Sequence, residues 1–125
     1  MNKSQTFVVD FVVKGDSPDV MKMVLVEEGD WSNIDARLRL LQQRMYECID
    51  AAIDGQLTDL FPETKGKKIV VSIDFYDAPH EETSEFIERF SKNVFLNPSY
   101  YGDALRQSRF VKDIAFEVNF ETLPK

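Results

Sequence analysis

The chain holds 125 residues, 43% of them apolar and 30% charged, with five glycines, five prolines and one cysteine. That is too short for two ordinary domains and too apolar for disorder, and it excludes collagen-like, low-complexity and disulfide-scaffold classes. With 15 Lys and Arg against 22 Asp and Glu the net charge is −7, which argues against nucleic acid and anionic membrane surfaces, because both bind through cations, and leaves a protein partner.

Cys48 is the only cysteine, so no intramolecular disulfide forms and a reducing compartment fits. Residues 1–6 are polar rather than a signal peptide, and no apolar run approaches the ~18 residues of a membrane span. The expectation is one soluble cytoplasmic domain, residues 1–125.

Thr6 to Lys14 is β-branched and aromatic and reads as a strand. Strict alternation puts Phe7, Val9, Phe11 and Val13 on one face, with Val8, Asp10 and Val12 on the other. Gly15-Asp16-Ser17-Pro18-Asp19 is a turn, and Val20 to Glu27 a second strand with Met21, Met23 and Leu25 inward. The two form an antiparallel hairpin.

Ser32, with Asp35 three residues on, resembles a capping box. Ile34, Leu38, Leu41, Met45, Cys48 or Ile49, and Ala52 then recur at spacings of four and three, one apolar stripe on a helix of about six turns that Gly55 ends. Arg37, Arg39, Arg44, Glu47, Asp50 and Asp54 fall mostly off that stripe.

Pro62 and Lys65-Gly66-Lys67-Lys68 mark a connection. Ile69 to Tyr76 is a third strand, with Ile69, Val71, Ile73 and Phe75 on one face and Val70, Ser72, Asp74 and Tyr76 on the other. Asp77-Ala78-Pro79 opens a second helix with Glu81 and Glu82 in its first turn and a stripe of Phe86, Ile87, Phe90 and Val94. Asn97-Pro98 stops it, and Asp103 to Arg109 has room for a further helical turn. The last strand alternates Ile114, Phe116, Val118 and Phe120 with Ala115, Glu117, Asn119 and Glu121.

The order ββαβαβ, with one apolar face per strand and one stripe per helix, requires an α+β two-layer fold: a four-stranded mixed sheet with two helices packed on one face. Right-handed crossovers would run strands two, three and four parallel, although the irregular stretch before the last strand leaves room for a reversal.

Chemistry is sparse. His80 is the only histidine; beside Asp74, Asp77, Glu81 and Glu82 it lacks the second His or Cys pair of a metal site and reads as an exposed helix-start residue. Cys48 on the long stripe reads as a small core hydrophobe. There is no Gly-x-Ser-x-Gly and no glycine-rich phosphate loop. No cofactor, metal or catalytic residue is assigned. Asp10, Asp74, Glu117 and Glu121 form the best carboxylate set, expected on the outer sheet face. Tyr100, Tyr101, Arg106, Arg109, Phe110 and Lys112 form the one basic, aromatic stretch, a candidate for an anionic ligand.

Asp30-Trp31, Leu40-Leu41-Gln42-Gln43, Asp54-Gly55-Gln56-Leu57 and Gly66-Lys67-Lys68-Ile69, continued by Pro79, Glu82 and Phe86, resemble a family of small uncharacterised bacterial proteins over roughly residues 5–95. The resemblance implies a small single domain of bacterial origin and carries no activity or catalytic residues to transfer. The stretch from Asn97 to Phe110 looks longer than that family's usual ending.

The function expected is therefore a non-catalytic interaction module of regulatory, accessory or immunity type. The alternative is a small enzyme or ligand-binding domain using the acidic sheet face or the Tyr100–Lys112 segment; a pocket enclosing its polar groups, with a strongly shifted pKa, would favour it. Val8, Val12, Val24, Val26, Val70 and Tyr76, on the face away from the helices, make a candidate homodimer or partner interface.

Overall fold

The computed structural model describes residues 9–122. Spacings of four and three make one side of helix α1, Ile34–Asp54, apolar, and that side is the buried one: Leu41, Met45, Cys48, Ile49, Ala51 and Ala52 are all shielded from solvent. Asn33 caps it in place of the expected Ser32, its side chain accepting from the Ala36 N–H at 3.2 Å. Gly55 ends it at φ 99°, with the Phe110 ring packed so closely that a Cβ there would stand 2.8 Å from it.

Two strands precede α1, β1 (Phe11–Lys14) and β2 (Val20–Glu27). After it, the chain makes a short helix α2, Gln56–Leu60, and a 3₁₀ turn at Pro62–Thr64 before β3, Lys67–Tyr76. The sequence reading treats this stretch only as a connection; a helix of five residues is too short to show a helical period, and Leu57, fully buried, fixes it from the core. Helix α3 spans His80–Asn93 and buries Thr83, Ile87 and Phe90. Helix α4, Tyr100–Gln107, occupies the ambiguous segment, capped by the Ser99 hydroxyl accepting from the Gly102 N–H at 2.9 Å. Strand β4, Val111–Glu121, closes the fold.

The sheet order is β1-β2-β3-β4. β1 runs antiparallel to β2, while β2–β3 and β3–β4 are parallel. The irregular stretch thus does not reverse the last strand. Two crossovers of one hand, advancing in one direction across the sheet, put α1 and α3 on the same face. The fold is the expected α+β two-layer mixed sheet, with α2 and α4 added to the helical layer.

Met21, Met23 and Leu25 meet Ile69, Val71, Ile73 and Phe75 across the β2–β3 register and, with Ile114, form the sheet's contribution to the core. Towards the β4 edge aromatic rings take over. Phe90 meets Phe116 edge-on with centroids 5.6 Å apart, and Phe120 stacks on Phe75 at 5.6 Å. No helix among the described residues is long and apolar enough to cross a membrane.

The facing of β1 differs from expectation. Phe11 stands opposite Val24 and Val12 opposite Met23, so Val12 is the residue turned to the core. Phe11 and Val13 face outward, 57% and 41% exposed. Residues 6–8 of the expected strand, Phe7 and Val8 among them, lie outside the described residues.

Adjacent leucines on α1 give a direct check. Leu41 is 1% exposed and Leu40 60%. Leu41→Ala is expected to cost about 2–5 kcal/mol in chemical denaturation through lost transfer energy and a cavity, and Leu40→Ala less than about 0.5 kcal/mol. Comparable losses would mean that the helix is rotated.

Candidate functional site

The pleat of the four strands projects a second set of side chains away from the helices. These are Phe11 and Val13 on β1, Val24 and Val26 on β2 with Lys22, Val70 and Tyr76 on β3 with Ser72 and Asp74, and Ala115, Glu117, Asn119 and Glu121 on β4. Of the expected interface residues, Val24, Val26, Val70 and Tyr76 are on this face. Val12 is not, and Val8 lies outside the described residues. Phe11 and Val13 take the place given to Val12.

Asp10 is corrected in the same way. The sequence reading places it with the outer carboxylates, yet its Oδ2 accepts from the Val26 N–H at 2.7 Å and from Arg44 of α1 at 3.2 Å. A cation on the helical layer draws the acid to the side that alternation reserves for apolar residues.

Of the remaining outer carboxylates, Asp74 and Glu117 are tied into one network. Glu117 Oε2 accepts from Lys22 Nζ at 2.8 Å and from the Ser72 hydroxyl at 2.8 Å. The Asn119 amide donates to Ser72 Oγ at 3.1 Å and to Asp74 Oδ1 at 2.9 Å. The Lys22 hydrogen bond holds the Glu117 carboxyl below the usual carboxylate range, and the same bond raises the Lys22 ammonium above the usual lysine value. A general acid needs the opposite displacement. The network therefore keeps Glu117 ionised and occupied, and Glu121 stands exposed at the strand end.

A second polar cluster joins the layers where β2 meets α1. The Glu27 side chain is only 8% exposed and receives Arg44 at 2.5 Å and Arg37 at 3.2 Å. Arg37 also donates to the carbonyls of Glu28 and Asp30, and its guanidinium carbon lies 3.9 Å from the centre of the Trp31 ring. Trp31 in turn donates its indole N–H to the Tyr76 carbonyl at 3.1 Å. The sequence reading misses this cluster. Its trace in the sequence is the seven-residue spacing that sets Arg37 and Arg44 on one side of α1, beside a strand that ends in an acid.

The basic aromatic segment is not gathered into one site. Tyr101 stacks on Tyr46 at 5.3 Å and donates its hydroxyl to Asp50 at 2.8 Å; burial, then that bond, raise its pKa. Tyr100, 77% exposed, shares with Tyr101 a groove of ≈ 450 Å³ whose charged lining is Asp50 and Asp54. Arg106 is paired with Asp103 and Asn97, and Arg109 and Lys112 are exposed outside this groove. An acidic lining repels the anion for which the segment is a candidate.

Cys48 is fully buried and its thiol is pushed up to about 12 by burial. His80 opens α3, exposed and stacked on Phe120 at 3.9 Å. Among the described residues, no group of three or more His, Cys, Asp or Glu is placed to hold a metal ion.

Layers and topology together define a small two-layer α+β fold whose sheet, among the described residues, carries helices on one side. The chain belongs to DUF6572, a family of unknown function, whose family model matches residues 1–98, from the N-terminus to just beyond α3. Comparison with curated proteins and with solved structures finds no match.

Two outcomes test the clusters. Glu27→Ala is expected to cost about 3 kcal/mol, because two largely buried guanidinium groups lose the carboxylate they share, Arg44 keeping Asp10 and Arg37 its backbone carbonyls. A double-mutant cycle with Arg44→Ala should give a coupling of about 1 kcal/mol or more by denaturation. On the outer face, Glu117→Gln should cost about 1 kcal/mol at neutral pH. Because folding lowers the Glu117 pKa, that difference is present above the unfolded carboxylate value and fades as pH falls through the folded one. The raised Lys22 pKa makes it fade again as pH climbs through the folded lysine value. A flat wild-type-minus-variant difference from acid to neutral pH would contradict the pairing.

Proposed function

We propose that this chain is a non-catalytic protein-interaction module that docks through its open sheet face, with a second copy of itself as the first occupant. The carrying observation is the apolar half of that face: Phe11 and Val13, 57% and 41% exposed, beside Val24, Val26 and Val70, with no helix of the described residues over them. Lys22 is already matched to Glu117 and Asp74 to Asn119, so covering the face leaves few polar groups newly unpaired. A patch that is apolar and internally neutralised complements itself better than it complements a charged partner. Isologous sheet-on-sheet packing about a two-fold axis suits it.

In this reading the protein works in the bacterial cytoplasm, with Cys48 retained as a buried thiol. The enzyme or ligand-binding alternative draws less support. Asp74 and Glu117 are occupied by neighbouring donors, and the tyrosine groove is lined by acids rather than by Arg106 or Arg109.

Light scattering is the test. Wild type should run at twice the 14.5 kDa chain mass. Phe11→Glu and Val24→Glu should be folded monomers by circular dichroism, and Leu60→Glu, 51% exposed on α2, should stay dimeric. A strictly monomeric wild type at high micromolar concentration would overturn the homodimer.

A further inference from the structure

β4 is the sheet's second edge, and its free side has a definite chemistry. In a parallel pair, a residue's N–H and C=O both point to one neighbour and those of the next residue point away. The Glu121 carbonyl accepts from the Asp77 N–H at 3.0 Å, on the β3 side. The N–H and C=O groups of Phe120, Val118, Phe116 and Ile114 therefore point to the open edge, and no hydrogen bond among the described residues reaches them there. Long edges of this kind are templates for another strand.

The two faces of that edge differ. Towards the helices, Phe116, Val118 and Phe120 are only partly buried, forming an apolar row that an added strand would finish covering. On the outer face Asp113, Glu117 and Glu121 recur every fourth residue, about 13 Å apart. Asp113 and Glu121 are exposed. Two-fold pairing of β4 with its copy would bring the exposed Asp113 and Glu121 of both copies along one seam, which like-charge repulsion disfavours; Glu117 is already matched to Lys22. Charge complementarity selects a different strand.

We infer that the β4 edge accepts an extended segment of a partner protein as a fifth strand, with basic residues at alternate positions over Asp113, Glu117 and Glu121 and apolar residues over Phe116, Val118 and Phe120. Main-chain hydrogen bonds hold such a strand, and the alternating side chains select it. This deepens the interaction-module reading, on which it rests, and uses the β4 edge, which borders the dimer face at Glu117 and lies across the sheet from Phe11 and Val13.

The probe is a short acetylated peptide alternating Lys and Val. Its controls are an Asp–Val alternation and a peptide of the same Lys–Val composition with the lysines grouped. In the free protein, hydrogen exchange at the Ile114, Phe116, Val118 and Phe120 amides should be fast; slow exchange there would show the edge already occupied and overturn the proposal. With the Lys–Val peptide, those four amides should become protected, and fluorescence anisotropy should show binding that neither control matches. Asp113→Lys and Glu121→Lys should each weaken that binding about tenfold. Val118→Pro should remove it, because its N–H faces the edge, where proline is tolerated. If that variant unfolds, the two charge reversals decide. Equal binding of the three peptides, protection confined to β1, or no binding would overturn the inference. Light scattering of the same charge variants reads the dimer independently, so failure at the edge is distinguishable from failure of the module reading.

Discussion

Both crossovers turn with the same hand and advance the same way across the sheet, from β2 to β3 and from β3 to β4. Parallel strands are ordinarily sheltered by helices on both sides, because right-handed crossovers change face where the direction of strand addition reverses. Here the sheet grows in one direction only, so every helix is placed on one layer. Met23, Ile73 and Phe75 vanish beneath α1 and α3, and the reverse of the same strands carries no helix of the described residues. The apolar half and the Lys22–Glu117 network both lie on that side of the sheet.

Acidic surplus is distributed accordingly. Asp10 and Glu27 are held by arginines of α1, and Glu117 by Lys22. Each of these pairs fastens one layer or strand to another, so part of the charge acts as internal stitching. Exposed Glu81 and Glu82 on α3, with Asp113 and Glu121 on β4, carry negative charge into solvent, while Glu85 and Glu88 are paired with Arg89 and Lys92. Such a field favours solubility and draws basic partners rather than deciding the fold.

Much of this architecture was legible from periodicity. The stripe of α1 and the alternation of β3 and β4 each repeat enough times to set their phase. β1 was not, because Val8-Val9 and Val12-Val13 are doubled apolar pairs, leaving Asp10 as the only cue to facing. That cue pointed the wrong way once Arg44 became its partner. The Glu27 cluster was hidden for a related reason: an acid at a strand end and two arginines off a helix stripe look solvated until the layers are superposed. α2 is too short to announce itself, and α4 is specified by its Ser99 cap and its contact with Tyr46 more than by any repeat.

Trp31 is the only tryptophan in the chain. It sits where β2 hands over to α1, with Arg37 over its ring, Phe75 5.7 Å away and its N–H on the Tyr76 carbonyl. A single indole so placed gives the molecule a built-in optical gauge. Its emission reports whether the helical layer is seated on the carboxyl ends of β2 and β3. The remote β4 edge lies beyond these direct contacts, so the docking of the two layers has a spectroscopic signal of its own.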